Sequence, residues 1–334
     1  MKSKPDRRQI DEALRASLAD GMRPVLATVL QAQGSTPLAT GAKAVIAADG
    51  SLIAGTIGGG LVESEAQQRA ITVAARVEPE VFDFHLHGPG GTDAYPVCGG
   101  TVRTLLQPVS GDEAAAYTAA SRAASDRLTG TLTTSIISHG DTVRVTTEWR
   151  EGLAQENAAV YEFEGNREWL HESVVPVPLL LIVGAGHVGQ ALAAQAHLAG
   201  FEITVVDDRP ELLAPELFPG GAQLVCGAIA ENVAALHFDN HTFVALVNRG
   251  HRADAEALAA CIHKPCAYLG MIGSRRKARL MRDHFLTEQL ATAGEFDRVR
   301  IPIGLDIGAE TAPEIAAAIV AQLIEEKNRA PAEL

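Results

Sequence analysis

The chain has 334 residues, a length that accommodates two domains of ordinary size. Its 41 acidic residues outnumber 28 lysines and arginines, and the resulting net charge of −13 argues against broad binding to nucleic acid or anionic membranes. The stretch MKSKPDRRQIDEAL lacks the apolar segment of a secretory signal, and no apolar run approaches the ~20 residues of a transmembrane helix. Four scattered cysteines do not form a disulfide framework, so we expect a cytoplasmic protein.

The first half of the chain has the element order of an α+β domain. The periodicity predicts helices near Arg8–Ala19, Leu61–Arg76 and Asp112–Ala124. We expect strands at Pro24–Gln33, FDFHLHG, TVRTLLQPV, TLTTSIISH and DTVRVTTEW, and a hairpin, AKAVIAADGSLIAGTIG, that turns at Asp49-Gly50. From Gly152 to Pro178 the periodicity is weak, and we interpret the closing VVPVP as a linker between domains.

The second half alternates strands and helices, which predicts βαβ units and a parallel sheet. The expected strands are LLLIVG, EITVVD, AQLVCG, TFVALVN, AYLGMIG and VRIPIG, with helices at 187–199, 230–236, Asp254–His263 and Pro313–Glu326 and a basic helix after AYLGMIG. The predicted fold class is therefore α/β, with an N-terminal α+β domain over residues 1–175 and a Rossmann-like domain over residues 176–334.

A glycine fingerprint follows the first strand of the second half. Gly184, Gly186 and Gly189 have GxGxxG spacing, and Asp207 ends the next strand at the offset expected of a ribose-binding acid. This pattern predicts a bound nucleotide or phosphate ester, although the same glycines would serve a turn that only supports the fold. His187 lies inside the fingerprint and would either donate to a ligand or simply start the helix.

A second candidate is the loop GMIGSRRK. Ser274 is expected to cap the next helix, yet Arg275, Arg276 and Lys277 follow in its first turn, where cations oppose the helix dipole. A bound anion would explain this arrangement. The alternative is a solvated basic helix face.

Two further stretches follow predicted strands at the same edge of the sheet. Asn248-Arg249-Gly250-His251 leaves the fourth strand, and the glycine-rich loop IGLDIGAET contributes Asp306 and Glu310 as candidates for binding, unless they only form turns. Thr311 and Glu314 match a capping box and are expected to be structural.

The first half contains its own glycine clusters. Gly58, Gly59 and Gly60 precede a helix and would form an anion-binding nest, although Glu63 and Glu65 in the first turn favour a structural role. Cys98 stands beside another glycine pair, where its thiolate would be stabilised, unless it is a small buried apolar residue. Cys261 and Cys266 are interpreted as packing residues.

The sequence lacks the common catalytic motifs. It contains no HExxH, GxSxG, Walker A or Cys-x-x-Cys pattern. The chain thus offers several ligand-binding loops and no evident set of reacting side chains.

These strings resemble one family. GSTPLATGAKAVIAADGSLIAGTIGGGLVE, with CGG downstream, is similar to the N-terminal domain of the XdhC/CoxI family, the accessory proteins of xanthine dehydrogenase and related molybdenum hydroxylases. LLIVGAGHVGQALA, TVVDDRPE, YLGMIGSRRK and PIGLDIGAETAPEIA resemble its C-terminal Rossmann domain. The resemblance covers nearly the whole chain.

The resemblance implies a cofactor-binding accessory protein and not an enzyme. Such a protein holds the molybdenum cofactor, a molybdopterin, while a cysteine desulfurase replaces an oxo ligand by sulfide, and then passes it to an apo xanthine dehydrogenase-type hydroxylase. No catalytic residue and no metal ligand are expected, and a homodimer is plausible. The alternative function is an NAD(P)-dependent oxidoreductase that uses the fingerprint. Carried over position by position, the expected binding residues are Gly58, Gly59, Gly60, Cys98, Gly184, Gly186, His187, Gly189, Asp207, Ser274, Arg275, Arg276, Asp306 and Glu310.

Overall fold

The chain divides into two compact units, residues 1–176 and residues 177–334, and the division falls inside the VVPVP segment. The structure is a computed structural model and describes residues 7–34, 39–85, 100–140, 142–152, 158–218, 220–248 and 250–329. Within these residues no helix has the length and apolar character needed to cross a membrane.

The first unit is built on two antiparallel sheets. Its elements are α1 (Arg7–Ala19), β1 (Val25–Gly34), β2 (Lys43–Ile46), β3 (Leu52–Gly55), α2 (Gly60–Arg76), β4 (Glu80–His85), β5 (Gly100–Pro108), α3 (Gly111–Ser125), β6 (Gly130–His139), β7 (Thr142–Glu151), β8 (Ala159–Glu164) and β9 (Arg167–Val174). Sheet A has the order β3-β2-β1-β5-β4, and sheet B has the order β7-β6-β9-β8.

Sheet A has a core on each face. One face packs on α2 through Val62, Ala66 and Ala70, which recur at helical spacing. The other face packs on α1, α3 and sheet B, and there Leu30 and Leu105 meet Ile136 and Leu170. Burial of these aliphatic residues is what holds the two sheets together.

The second unit is a doubly wound parallel sheet. Its elements are β10 (Leu179–Val183), α4 (His187–Leu198), β11 (Glu202–Asp207), β12 (Gln223–Cys226), α5 (Ile229–Ala235), β13 (Thr242–Leu246), α6 (His251–Cys261), β14 (Tyr268–Met271), α7 (Arg275–Thr287), α8 (Ala293–Asp297) and α9 (Ala312–Asn328). The order β12-β11-β10-β13-β14 is the Rossmann order, with its switch point between β10 and β13. The predicted fold class, with a parallel sheet in the second half and antiparallel sheets in the first, is confirmed.

One predicted strand is wrong, and two strands were not predicted. The segment VRIPIG does not form a strand: Arg300 makes a single parallel bridge to Gly270, and Pro302, which has no N–H to donate, follows two residues later. The stretch after Gly152 contains β8 and β9, which the weak periodicity concealed. The inward positions of β9 include Glu168 and Glu172, which are buried because Arg103 and Lys43 neutralise them.

Candidate functional site

The glycine fingerprint forms the loop between β10 and α4, and its glycines have different structural roles. Gly184 has φ +118°, and a Cβ there would lie 2.8 Å from the Oδ1 atom of Asn248. A Cβ on Gly189 would lie 1.9 Å from the carbonyl oxygen of Gly184, so this glycine lets the helix approach the strand. Both positions therefore require glycine for reasons internal to the fold.

Gly186 differs from the other two glycines. It is the N-cap of α4 with φ −71° and ψ −174°, a conformation open to any residue, and a Cβ there would meet no described atom within 4 Å. Gly186 has no side chain with which to cap this helix N-terminus. The backbone at Gly186 thus faces open space, and neither strain nor packing accounts for the glycine.

The open space beside Gly186 is a cavity of about 550 Å³ at the carboxyl ends of β10 and β13, the place where open α/β sheets bind ligands. We call it the Rossmann cavity. Its described lining consists of Gly186, His187, Val188, Gln190, Arg209, Leu212, Leu217, Val247, Asn248, Ile272, Ala312 and Ile315. No carboxylate belongs to this set, so its ionisable side chains are an arginine and a histidine.

Asn248 provides a buried donor in this cavity. Asn248 is 8% exposed, and its Nδ2 atom has no hydrogen-bond partner among the described residues. An unsatisfied buried amide costs free energy, and a ligand acceptor would recover that cost. Asn248 lies two residues after the end of β13, which is why its amide reaches the same edge of the sheet as Gly186.

Asp207 does not line the cavity. It is fully buried at the end of β11, and its Oδ2 atom accepts from the Ala185 amide at 2.6 Å and from Arg209 Nη2 at 2.8 Å. Its Oδ1 atom accepts from the amide and Nε of Arg209 at 2.9 and 2.8 Å. Burial alone would raise the pKa of Asp207, but the bonds from Arg209 and Ala185 outweigh it, and the pKa falls from 3.8 to about 2.

Arg209 is the residue that this arrangement places at the ligand side. Its side chain is 41% exposed and lines the cavity, while its Nε and Nη2 atoms are hydrogen-bonded to Asp207. A guanidinium fixed in this way is a suitable phosphate donor. Arg209 is absent from the residues expected on sequence grounds, although its position two residues after the acidic end of β11 was an available signal.

The basic loop lies at the start of α7. Ser274 caps this helix by accepting from the Lys277 amide at 3.2 Å, as predicted. Lys277 turns inward, where its Nζ donates to the buried carboxylate of Asp254 and to the Ile272 carbonyl oxygen. Arg275 and Arg276 are exposed, and neither lines the Rossmann cavity.

The loop before α9 places its acidic residues at the surface. Asp306 and Glu310 are both exposed, and neither lines the Rossmann cavity. The predicted capping box is confirmed, since Thr311 and Glu314 exchange backbone-to-side-chain hydrogen bonds. The hydrogen bonds from the amides of Glu310 and Thr311 lower the pKa of Glu314.

The three consecutive glycines of the first unit form a tight turn, and one of their backbone amides already has an acceptor within the chain. Gly58, Gly59 and Gly60 all have positive φ, and Cβ atoms on Gly59 and Gly60 would meet nothing within 4 Å. The Gly58 amide donates to Thr56 Oγ1 at 3.0 Å, and the Thr56 hydroxyl in turn donates to Glu63 at 2.7 Å, so one donor of the nest is used within the chain. Cys98 lies outside the described residues.

The binding residues predicted from the sequence do not all meet at one site. The structure brings Gly186 and His187 together at the Rossmann cavity, with Gly184, Gly189 and Asp207 behind them as supports. Within the described residues, no group of three or more His, Cys, Asp or Glu side chains is arranged to hold a metal ion.

Two family models match this chain, and both describe the same family. The model of the XdhC Rossmann domain matches residues 180–323, and the model of the XdhC and CoxI family matches residues 17–85. The chain is 29% identical over 307 residues to the uncharacterized protein YqeB of Escherichia coli K12, covering 92% of this chain but only 44% of that longer protein.

Two further relatives match over nearly their full length. A Bacillus subtilis protein, named as a probable xanthine dehydrogenase subunit, is 25% identical, with 95% of this chain and 97% of that protein covered. The crystal structure of a protein from Bacillus halodurans, described as a xanthine dehydrogenase, superposes with a TM-score of 0.77 at 23% identity, covering 97% of each chain, and supports the fold. Since the two family models together span well over half of its length, the chain belongs to the XdhC and CoxI family.

Proposed function

We propose that this chain is an accessory protein that binds the molybdenum cofactor and delivers it to a xanthine dehydrogenase-type hydroxylase. Family membership and the names of two relatives support a role linked to xanthine dehydrogenase. A dehydrogenase with iron–sulfur clusters needs sets of cysteine ligands, and the four cysteines of this sequence are scattered. An accessory role accounts for both observations.

The observation that carries the proposal is the buried Nδ2 atom of Asn248, which has no partner among the described residues and lines the same cavity as the bare backbone at Gly186. Together with the guanidinium of Arg209, these donors line one cavity to which no described carboxylate contributes. Such a lining fits the phosphate of molybdopterin, which would accept from all three groups. Bound molybdopterin supplies that phosphate and the pterin; the molybdenum chemistry belongs to the hydroxylase that receives it.

The partners follow from this role. They are the apo-hydroxylase and a cysteine desulfurase that acts on the held cofactor, and the carrier itself acts as a homodimer. In the described lining of the Rossmann cavity, His187 and Arg209 are the ionisable residues, and neither is paired with a carboxylate that also lines the cavity. This lining favours holding a ligand over general acid–base chemistry.

The test is retention of the cofactor. The full chain is purified from a host that makes molybdopterin, and its pterin is oxidised and quantified by fluorescence. Asn248→Asp places a carboxylate beside the phosphate position and should reduce the retained pterin at least tenfold, because like charges repel. Arg282→Ala is a control outside the Rossmann cavity: Arg282 pairs with Asp297, and its loss should leave pterin retention as in the wild type. Wild-type protein without pterin, or equal retention in Asn248→Asp, would refute the proposal.

A second candidate is an NADP(H)-dependent oxidoreductase, and the geometry of Arg209 favours it. In Rossmann folds a free acid at the end of the second strand binds the ribose of NAD, whereas an arginine nearby accommodates the 2′-phosphate of NADP. Here Asp207 is committed to Ala185 and Arg209, and Arg209 lines the cavity. Calorimetry with NADPH and NADH distinguishes the candidates: micromolar NADPH binding without retained molybdopterin would favour the oxidoreductase.

A further inference from the structure

The first unit contains a second cavity, unrelated to the glycine motifs. One face of sheet A is apolar around Leu105 and becomes polar toward the far end of β1, β4 and β5. A β-bulge between Val29 and Gln31 accompanies this change. Beyond the bulge the cross-strand rows are Gln31–Arg103–Asp83 and Gln33–Thr101–His85. These six residues form one wall of a cleft of about 350 Å³, which we call the polar cleft.

The charged side chains at the base of the polar cleft are hydrogen-bonded to one another. Arg103 donates through Nε and Nη2 to Glu168 at 2.7 and 2.9 Å, and through Nη1 to both oxygens of Asp83 at 2.9 and 2.8 Å. Two carboxylates therefore share one guanidinium. The polar cleft is a poor site for a phosphate, because all three guanidinium nitrogens of Arg103 bond to two carboxylates, whereas Arg209 is hydrogen-bonded to one carboxylate, Asp207, through Nε and Nη2 alone.

The opposite wall is aromatic. Tyr161 and Phe163 lie on the same side of β8, with ring centroids 6.0 Å apart and an interplanar angle of 29°. The Tyr161 hydroxyl donates to Glu168 at 2.6 Å, which fixes that ring, while Phe163 is 67% exposed. An exposed phenylalanine beside a fixed tyrosine offers a flat apolar surface to a ligand.

The polar wall has hydrogen-bonding capacity left over. Gln33 Nε2 donates to Gln31 Oε1 at 3.0 Å. In the described part of the chain the Gln31 amide nitrogen and the Gln33 amide oxygen make no other side-chain bond, so one donor and one acceptor stand side by side. A planar ring whose edge carries both an amino and an oxo group has the complementary pattern.

We propose that the polar cleft binds a flat, uncharged heterocycle with amino and oxo groups on its edge, the chemistry shared by pterins and guanine-type purines. The ring stacks on Phe163, and its edge bonds to the amides of Gln31 and Gln33. This inference rests on the proposed function only for the choice of a pterin as the first probe.

The experiment is a fluorescence titration of the full-length protein with 6-hydroxymethylpterin, which carries no phosphate. Phe163→Ala should weaken binding about tenfold or more, because stacking of a ring on an aromatic side chain is lost. Phe163→Trp should retain the affinity and Phe163→Leu should not, which separates stacking from simple apolar contact. Ile71→Ala, an exposed apolar residue on α2, is the control and should bind as wild type. Guanosine in a parallel titration shows which of the two ring systems is preferred.

The outcomes are separable from those of the cofactor test. Loss of binding in Phe163→Ala with rescue in Phe163→Trp supports the proposal, whichever ring binds more tightly. Equal affinity across the Phe163 variants, or no binding of either ring by the wild type, overturns it. Neither result depends on Asn248, so the polar cleft and the Rossmann cavity can each fail alone.

Discussion

The contribution of the Asp207 carboxylate to stability can be tested by removing its charge. Asp207→Asn keeps the size of the side chain but replaces one acceptor oxygen with an NH2 group. That group would face either the Ala185 amide or the guanidinium of Arg209, and both of these are donors. The variant therefore places two donors against each other in a fully buried position.

The size of the effect follows from the pKa. A fall from 3.8 to about 2 in the folded protein corresponds to about 2.5 kcal/mol of stability when the carboxylate is ionised in both states. Asp207→Asn should therefore lower the free energy of unfolding of the second unit by about 2–3 kcal/mol at pH 7. Because the folded pKa is depressed, this stabilisation is complete above about pH 5 and is lost as the pH falls from about 4 to 2.

The assay must follow the second unit by itself. Both tryptophans, Trp149 and Trp169, lie in the first unit, so their emission during urea unfolding is an internal control that the substitution should not change. Pulsed hydrogen exchange read on peptides from β10 and β11 follows the second unit. Asp208→Asn, a neighbour with 63% side-chain exposure, should cost less than about 0.5 kcal/mol. The reasoning would be refuted if Asp207→Asn and the wild type had the same free energy of unfolding at pH 7. It would also be refuted if their difference in this free energy did not become smaller below pH 4.

Two further predictions concern the same unit, and both are measured by urea unfolding read through pulsed hydrogen exchange on peptides of that unit. Gly189→Ala should destabilise by at least about 2 kcal/mol, because its Cβ would collide with Gly184, whereas Gly186→Ala should unfold like wild type and retain less pterin. Equal stability of the two alanine variants would contradict the assigned roles. Lys277→Ala removes the ammonium that bonds the buried Asp254 carboxylate and should cost about 3 kcal/mol; a loss below about 1 kcal/mol would show that the ion pair contributes little.

Much of the second unit could be predicted because its signals are local. Apolar strands followed by helical periodicity indicate βαβ units, and the spacing of Gly184, Gly186 and Gly189 indicates the turn after β10. The caps at Ser274 and Thr311 were equally readable, since a cap involves residues only three positions apart.

The strand β9 shows why pattern alone fails elsewhere. Its inward positions alternate glutamates with Leu170 and Val174, and a buried glutamate looks like a surface residue in the sequence. Glu168 and Glu172 are buried only because Arg103 and Lys43, 65 and 129 residues earlier, neutralise them. Partners so distant in the chain leave no trace in a local period.

The sequence by itself thus determined the family resemblance, the parallel sheet, the glycine turn and the helix caps, because each depends on residues close together in the chain. Only the tertiary structure decided that Asp207 is enclosed while Arg209 lines the cavity. It also decided that the Asn248 amide nitrogen is buried in that cavity with no partner in the part of the chain that the structure describes. Which atoms face a ligand depends on how strands far apart in sequence meet at one edge of a sheet, and burial and hydrogen bonding there are set by packing.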